Sequence, residues 1–172
     1  MTTAHWSTTT LNTGAFTTIV RAGTVLASGW TEDPEYLLAL INSELRPDEL
    51  LRVDDLGVVT TALLRYDEGD LAAIDEIPVR QLSGPFVTHA WDVLRKVTPG
   101  AQVTYAELAE RAGKGSAHRA AAATCARNAA ALFVPCHRVQ RRDGSLGGFR
   151  YGLERKAELI AHEAKYAKAA AA

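Results

Sequence analysis

Two short helices joined by a glycine-containing turn constrain the fold of this chain more than any other feature of its sequence. Thr104-Tyr105-Ala106-Glu107 has the capping-box pattern, threonine at the N-cap and glutamate three residues later, and opens a short helix. Gly113-Lys114-Gly115 predicts a tight turn, and a second helix, capped by Ser116, runs to about Arg127. This order is the helix-turn-helix pattern, whose second helix enters a DNA groove.

The predicted second helix is rich in alanine. Few large side chains interrupt it, so its backbone can closely approach that of a nucleic acid. A small-residue helix packed tightly in a protein core has the same composition, and the pattern by itself leaves both readings open. The small residues in question are Ser116, Ala117, Ala120 and Ala121.

Charge is divided unevenly along the chain. Residues 1–84 carry 5 Lys and Arg against 13 Asp and Glu, a net charge of −8, whereas residues 85–172 carry 14 against 7, a net charge of +7. A split of this kind indicates two units, of which the second faces a polyanion. Mutual attraction of the halves, or simple solvation of the surface, is the alternative.

The first half predicts an α/β domain with a small antiparallel sheet. Residues 16–20 and 24–30 are β-prone runs that form a hairpin, and Asp33 caps a helix whose first residue is Pro34. A further helix is expected at about 56–66, and residues 74–84 read as an extended segment. We therefore predict a scaffold domain at 1–78, a linker at 79–85 and a mostly helical winged helix-turn-helix domain at 86–172.

The composition and the termini favour a folded cytoplasmic protein. Apolar residues make up 47% of the chain, enough for a core. The N-terminus lacks the basic and apolar regions of a secretory signal, and no segment predicts a transmembrane helix. The only cysteines are Cys125 and Cys136, so we expect neither a disulfide nor a metal site, and at least one free thiol.

The pattern that most clearly indicates a reactive site is Pro135-Cys136-His137-Arg138-Val139, which follows a predicted buried strand at 132–134. A cysteine beside histidine and arginine lies in a positive field that favours the thiolate. Adjacent side chains of an extended segment point to opposite faces, so proton transfer from Cys136 to His137 needs a bridging water or a local turn. A third group must also orient the histidine. A buried structural cysteine is the alternative.

This segment matches the active-site signature of the O6-alkylguanine-DNA alkyltransferases, and the resemblance extends over the second half of the chain. Residues 103–109 look like the family's first helix-turn-helix element. Arg119 lies 17 residues before Cys136, as the family's arginine finger does, and Asn128 lies eight residues before it, like the hinge asparagine. Ile160-Ala161-His162-Glu163 resembles the motif that supplies a catalytic glutamate.

The resemblance implies a protein that transfers an alkyl group from O6-alkylguanine, and from O4-alkylthymine, to its own cysteine. Cys136 would be the nucleophile, His137 would accept its proton through water, and Glu163 would orient His137. Asn128 would brace the site, and Tyr105 would donate a proton toward the guanine ring. It implies one turnover per molecule and no cofactor. Some relatives carry zinc in the first domain, but the first half of this chain has no cysteine, so we expect none here. A solvated charge at Glu163 and simple packing at Tyr105 are the alternatives from residue type alone.

The resemblance also implies the partner, double-stranded DNA bound in its minor groove with the damaged base flipped out by a protein that acts as a monomer. Whether binding is cooperative stays open. Arg119 would fill the gap in the base stack. The expected phosphate contacts are Lys114, Arg127, Arg141, Arg142 and Arg150. For each of them, a solvated surface charge is the alternative. The expected pocket around the base consists of Val139, Leu146, Gly147, Gly148, Phe149 and Arg150.

Two rival functions come from other classes of protein. One is a lesion binder without catalysis, against which the presence of Cys136 argues. The other is a cysteine hydrolase with an incidental helix-turn-helix, for which no oxyanion-hole motif is apparent. Two positions depart from the commonest family pattern, because Phe149 replaces a tyrosine and Arg150 replaces a serine of some members. Both bear on the size and polarity of the accepted alkyl group.

Overall fold

A computed structural model describes residues 1–171. The chain divides into two compact units, of which the first comprises Met1–Leu82 and Ala129–Phe133. The second comprises Ser83–Asn128 and the residues from Val134 onward. Residues 129–133 belong to the first unit although they follow the predicted linker at 79–85. A single boundary at that linker therefore does not describe this division of the chain. The domain roles predicted for residues 1–78 and 86–172 stay predictions.

The first unit contains a four-stranded sheet with the order β3-β2-β1-β4. The strands are β1 Thr3–Leu11, β2 Gly14–Arg21, β3 Thr24–Gly29 and β4 Glu49–Arg52. Three of them pair antiparallel as predicted, but β4 pairs parallel to β1, so the sheet is mixed rather than antiparallel. The parallel pairing follows from the connection between β3 and β4. A helix carries the chain across the sheet there, and parallel strands require such a crossover.

Short residue patterns in the sequence predicted the hairpin and the helices of this unit correctly. Ala22 and Gly23 both have positive φ, 50° and 78°, which is the conformation of a type I′ turn between β2 and β3. Helix α1, Pro34–Leu40, begins after Asp33, whose carboxylate accepts the N–H of Glu35 at 3.0 Å. Helix α2 is Val58–Asp67, within two residues of the prediction at its start.

The segment predicted to be extended between the halves is part of the first unit. Its start forms a 3₁₀ turn at Ala73–Glu76. Beyond it, Val25 donates its N–H to the carbonyl of Pro78 at 2.9 Å, and Arg80 donates to the carbonyl of Val25 at 3.0 Å. The segment therefore satisfies backbone groups along the outer edge of β3 that would otherwise be unpaired.

The second unit is mostly helical, as predicted. Its helices are α3 Pro85–Arg95, α4 Tyr105–Arg111, α5 His118–Ala126 and α6 Leu153–Ala171, and the two-residue strands β5 Val103–Thr104 and β6 Val139–Gln140 pair in parallel. The indole N–H of Trp91 on α3 donates to the carbonyl of Thr124 on α5 at 2.9 Å. No helix among residues 1–171 has the length and apolar character needed to cross a membrane.

The helix-turn-helix is present, but the cap predicted for its second helix is wrong. The capping box is confirmed, because Thr104 Oγ1 accepts the Glu107 N–H at 3.1 Å and the Glu107 carboxylate accepts the Thr104 N–H at 3.2 Å. Ser116 does not cap α5, however. Ala117 donates its N–H to the carbonyl of Lys114 at 2.8 Å, which closes a further turn and delays the helix. The N-cap is Ala117, which makes no side-chain bond.

Candidate active site

The residues before the reactive cysteine form a buried turn, so the predicted strand at 132–134 is wrong. Leu132 has φ +76°, which an extended strand cannot accommodate. The side-chain amide of Asn128 donates to the carbonyl of Val134 at 2.8 Å. Asn128 therefore braces the backbone two residues before Cys136, which is the place that the predicted hinge role requires.

A 3₁₀ turn, Cys136–Arg138, carries the reactive cysteine. Cys136 donates its N–H to Val134 at 2.8 Å, and Arg138 donates to Pro135 at 3.0 Å. The segment is thus a local turn rather than an extended strand. It leaves Cys136 partly exposed while His137 and Arg138 are buried.

The Cys136 thiol has a raised pKa in this site, contrary to the expectation from its neighbours in sequence. Burial is the main cause, and it outweighs a hydrogen bond from Asn128 Nδ2 at 3.3 Å and the charges of Lys156 and Arg150. The adjacent Arg138 is bound to Glu163 instead. The resting cysteine is therefore a thiol, and its reaction needs a base to remove the proton.

His137 and Glu163 form a buried pair suited to that task. Their side chains are 0% and 1% exposed, and His137 Nε2 lies 2.5 Å from Glu163 Oε1. Burial lowers the pKa of His137, so the imidazole is neutral and donates its Nε2 proton to the carboxylate. Burial alone would raise the pKa of Glu163, but His137 and Arg138 together lower it, so the carboxylate is ionised.

The other imidazole nitrogen of His137 is available as a base. Nδ1 is buried and has no hydrogen-bond partner within the described residues. With the ring proton held on Nε2 by Glu163, Nδ1 carries the lone pair. The structure thus brings together four of the five predicted catalytic residues, which are Cys136, His137, Glu163 and Asn128.

Arg138 completes the buried charge cluster, and its role was not predicted. Its guanidinium donates to Glu163 through Nε, at 3.2 and 2.9 Å to the two oxygens, and through a terminal nitrogen at 2.9 Å. Its remaining terminal nitrogen donates to the carbonyl of Val97 at 2.7 Å. The signature pointed to Arg138 as a positive neighbour of the thiol, whereas the structure shows its guanidinium bound to the Glu163 carboxylate.

Tyr105 lies against the predicted pocket loop, residues 146–150. A Cβ atom added to Gly147, whose φ is +71°, would lie 2.6 Å from the Tyr105 hydroxyl, so only glycine fits there. The backbone of Gly148 also lies close to the same hydroxyl. Burial and the nearby cysteines raise the pKa of Tyr105, which keeps the phenol protonated as a donor.

The C-terminal end of the pocket loop makes contacts of its own. Arg150 donates to the carbonyl of Ala126, at the end of α5, at 2.6 Å. Phe149 stacks edge-on against Tyr151 with ring centres 5.9 Å apart. Leu146 is half-buried, and Val139 is fully buried, so Val139 is a core residue as well as a candidate wall. Lys156, which no sequence pattern indicated, is also buried beside this loop.

The predicted DNA-contacting residues divide into outward and inward positions. Lys114, Ser116, Arg119, Arg127 and Arg141 are exposed, and Ala117 and Ala120 are half-buried. Ala121 is fully buried, as is Thr124 three residues later, so this position faces the interior and cannot touch DNA. The alanine-rich helix therefore has one packed face and one exposed face, and DNA contact through the exposed face stays a prediction.

A cavity of about 350 Å³ opens next to this exposed face and has a basic lining. The residues that line it are Thr104, Tyr105, Ala106, His118, Arg141 and Arg142. His118 and Thr104 were not predicted to contribute. Their positions at the first turns of α5 and α4 were visible in the sequence, but the approach of residues 141–142 to them was not.

Comparison with known proteins decides the family. The family model for the DNA-binding domain of 6-O-methylguanine DNA methyltransferase matches residues 85–165. The methylated-DNA–protein-cysteine methyltransferase of Shigella flexneri is 33% identical over 136 residues, which are 78% of this chain and 80% of that protein. The chain belongs to the methylated-DNA–protein-cysteine methyltransferase family. The resemblance inferred from the Cys136 signature is thereby confirmed, as is the class of enzyme.

Solved structures extend the similarity in fold to both units. The crystal structure of Mycobacterium tuberculosis O6-methylguanine methyltransferase has a TM-score of 0.77 at 22% identity and covers 95% of this chain and 94% of that chain. A second structure, the M. tuberculosis protein in complex with DNA, has a TM-score of 0.75 at 21% identity, with 94% of each chain covered. The α/β first unit is thus part of the methyltransferase fold.

Proposed function

We propose that this protein repairs O6-alkylguanine in double-stranded DNA by transferring the alkyl group irreversibly to Cys136. The observation that carries the proposal is the mostly buried but still accessible Cys136 next to the buried His137–Glu163 pair, in which Nδ1 of His137 has no hydrogen-bond partner among the described residues. Membership of a family of methylated-DNA–protein-cysteine methyltransferases supports the reaction. The DNA complex of the M. tuberculosis protein supports the partner.

The reaction begins with removal of the thiol proton. A water passes that proton from Cys136 to Nδ1 of His137, and Glu163 stabilises the imidazolium that forms. The thiolate then attacks the alkyl carbon, a C–S bond forms, and the bond from carbon to the guanine O6 oxygen breaks. The electron pair of that bond moves into the guanine ring.

Tyr105 assists the departure of the guanine. Its raised pKa keeps the hydroxyl protonated, and it donates a proton toward the ring as negative charge develops there. Solvent returns a proton to Tyr105. The product on the protein is a thioether. Water does not hydrolyse a thioether, so each molecule reacts once. The same displacement applies to O4-alkylthymine.

Access to the base requires it to leave the duplex. The half-buried Ala117 and Ala120 on α5 allow close approach in the minor groove, where the exposed Arg119 side chain fills the space of the extruded base. The basic cavity that includes Arg141 and Arg142 adjoins this face and suits backbone phosphates. A monomer supplies all of these residues, and cooperative binding along DNA is compatible with this geometry.

The fate of the lesion tests the proposal. Wild-type protein, incubated with a duplex that contains O6-methylguanine, should restore guanine, up to one lesion per protein molecule. Cys136→Ser should bind the duplex but restore nothing, whereas the matched Cys125→Ser should behave like wild type. Persistence of the lesion with wild-type protein would favour a lesion binder, and more than one restored lesion per molecule would favour a hydrolase-like turnover.

Base extrusion is tested separately from chemistry by comparing two substrates. Arg119→Ala should slow single-turnover repair of the duplex by about one to two decades, because base extrusion costs a few kcal/mol. It should leave transfer from the free base O6-benzylguanine unchanged, whereas Glu163→Gln should slow both. An equal loss on both substrates for Arg119→Ala would place this arginine in the chemistry instead.

A further inference from the structure

Residues 129–131, which lie shortly before the reactive turn, pair with the outer edge of β3. The N–H of Ser28 donates to the carbonyl of Ala129 at 2.9 Å, and the N–H of Ala131 donates to the carbonyl of Ser28 at 3.2 Å. These bonds form a parallel bridge between Ser28 and Ala130. The segment therefore belongs to the sheet of the first unit, although the chain enters the reactive turn a few residues later.

Two side chains of the first unit reinforce this pairing. The hydroxyl of Ser28, a residue that is 0% exposed, donates to the carbonyl of Ala131 at 2.7 Å. The side-chain oxygen of Gln81 accepts the N–H of Ala129 at 2.7 Å. A buried backbone group that loses its hydrogen-bond partner is unfavourable, so both side chains restrict where residues 129 and 131 can lie.

The residue that follows this pairing has a strained backbone. Leu132 is fully buried with φ +76°, a conformation that costs energy in residues other than glycine. Before it, Ala131 is held by the Ser28 hydroxyl. After it, the Phe133 ring packs against that of Phe16, with ring centres 6.5 Å apart. Contacts within the first unit therefore maintain the strained conformation.

The same stretch of backbone ends at the groups that hold the thiol. Asn128, directly before Ala129, donates through its side-chain amide to the carbonyl of Val134 at 2.8 Å and to the Cys136 sulfur at 3.3 Å. Cys136 donates its own N–H to the same carbonyl at 2.8 Å. A displacement of residues 129–133 would therefore disturb this bonded set at both ends. It would also move the sulfur, which must lie in line with the alkyl carbon to react.

We propose that Ser28 and Gln81 are positioning residues for alkyl transfer. They hold residues 129–131 on β3, and thereby keep the Asn128 amide against the Cys136 sulfur. The inference rests on the proposed function and adds to it two side chains of the first unit. Loss of either side chain should slow the transfer step and leave DNA binding intact, because neither lies in the helix-turn-helix or the pocket loop.

The test compares Ser28→Ala with Ser7→Ala, a matched control on the same sheet. Ser7 is also buried, and its hydroxyl donates to the carbonyl of Asp54 at 3.3 Å, so its loss has a similar structural cost without touching residues 129–131. Single-turnover repair of methylated duplex gives the saturating transfer rate and the apparent DNA affinity separately. Ser28→Ala should lower the saturating rate by about 5- to 30-fold at unchanged affinity, the range for a buried carbonyl left without its partner. Ser7→Ala should match wild type.

Gln81 offers a conservative pair of variants at a half-buried position. Gln81→Met removes the acceptor for the Ala129 N–H and should slow transfer, whereas Gln81→Glu keeps an acceptor oxygen and should recover the rate. Should Ser28→Ala fail to fold, this pair carries the comparison. The proposal would be overturned by equal saturating rates within either pair, Ser28→Ala with Ser7→Ala or Gln81→Met with Gln81→Glu, and by a loss confined to DNA affinity.

The thiol itself provides a second readout that needs no DNA. The hydrogen bond from Asn128 lowers the pKa of Cys136. Lys156 and Arg150, whose charges also lower this pKa, are unchanged in the variants. Displacement of the Asn128 amide should therefore move the pH dependence of Cys136 alkylation by iodoacetamide to higher pH.

The alkylation profiles also separate this inference from the proposed function. They are measured in a Cys125→Ser background, so that only one cysteine can react. Ser28→Ala should show the shift and Ser7→Ala should not, and an unshifted Ser28→Ala profile would overturn the positioning role. A shifted profile, together with wild-type protein that repairs no methylated duplex, would instead refute the proposed function alone.

Discussion

Replacement of Arg138 by methionine tests how the catalytic carboxylate is held. Methionine has a similar length and no charge, so the variant removes three hydrogen bonds to Glu163 and one to the carbonyl of Val97. Glu163 remains 1% exposed, and it keeps His137 and a long contact of 3.4 Å from the Gly100 N–H. A buried carboxylate is thereby left without its permanently charged partner.

The size of the effect follows from burial. Removal of one member of a buried ion pair costs about 3–5 kcal/mol, because the other charge stays in a low-dielectric site. In a protein of this length, each kcal/mol lowers Tm by about 2–4 °C, so a Tm decrease of about 6–20 °C is expected. Loss of the positive charge should also raise the pKa values of Glu163 and His137, because Arg138 lowers both of them.

Urea denaturation followed by circular dichroism measures the loss, with Arg65→Met as the control. Arg65 also bonds to two carboxylates, to Asp70 at 2.6 Å and to Glu76 at 3.3 Å, but its side chain is 43% exposed. Water screens that network, so its loss should be several-fold smaller. Equal losses in the two variants would refute the reasoning that burial makes the Arg138 cluster important.

Three further predictions concern the loop, the acid response and the first helix-turn-helix element. Gly147→Ala should lower the single-turnover transfer rate at least tenfold, because the added Cβ would collide with the Tyr105 hydroxyl. The control is Gly144→Ala, which has φ +85° but open space around its Cβ. It shares only the backbone strain and should retain activity. Glu163 has a lowered pKa, so its contribution to stability is complete above the unfolded value of about 4.3 and declines as pH falls below it. The difference in urea midpoint between wild type and Glu163→Gln should therefore shrink from pH 7 toward acid, and a constant difference would contradict this assignment. Thr104→Ala should cost about 1 kcal/mol of unfolding free energy, because it removes the capping box of α4, and an unchanged urea midpoint would argue against that cap.

Features set by neighbouring residues could be predicted from the sequence. The Asp33 cap, the turn at Ala22 and Gly23, and the Thr104 capping box each depend on bonds within four residues. The Ser116 cap was wrong because the Ala117–Lys114 bond, a competing local turn, has no distinct residue signal. The strand expected at 132–134 was wrong because an apolar run does not reveal that Leu132 adopts a positive φ.

Features that join distant parts of the chain could not be predicted from pattern alone. The parallel pairing of β4 with β1 connects residues about 46 apart, and nothing in the four residues of β4 specifies that partner. Asn128 and Glu163 were identified only through the family resemblance, whereas the residue pattern around Cys136 and His137 indicated chemistry but left a buried structural cysteine as the alternative. Arg138 and Lys156 were missed in their actual roles, because their partners are a carboxylate 25 residues away and three backbone carbonyls.

The central claim is that Cys136 receives the alkyl group, and peptide mapping by mass spectrometry tests it most directly. Wild-type protein is incubated with excess methylated duplex, its intact mass is measured, and the modified peptide is fragmented. A gain of one CH₂ group per molecule, located on Cys136 and stable over time, is predicted. A methyl group on Cys125, a transient adduct, or an unmodified protein that has nevertheless restored the guanine would contradict the claim.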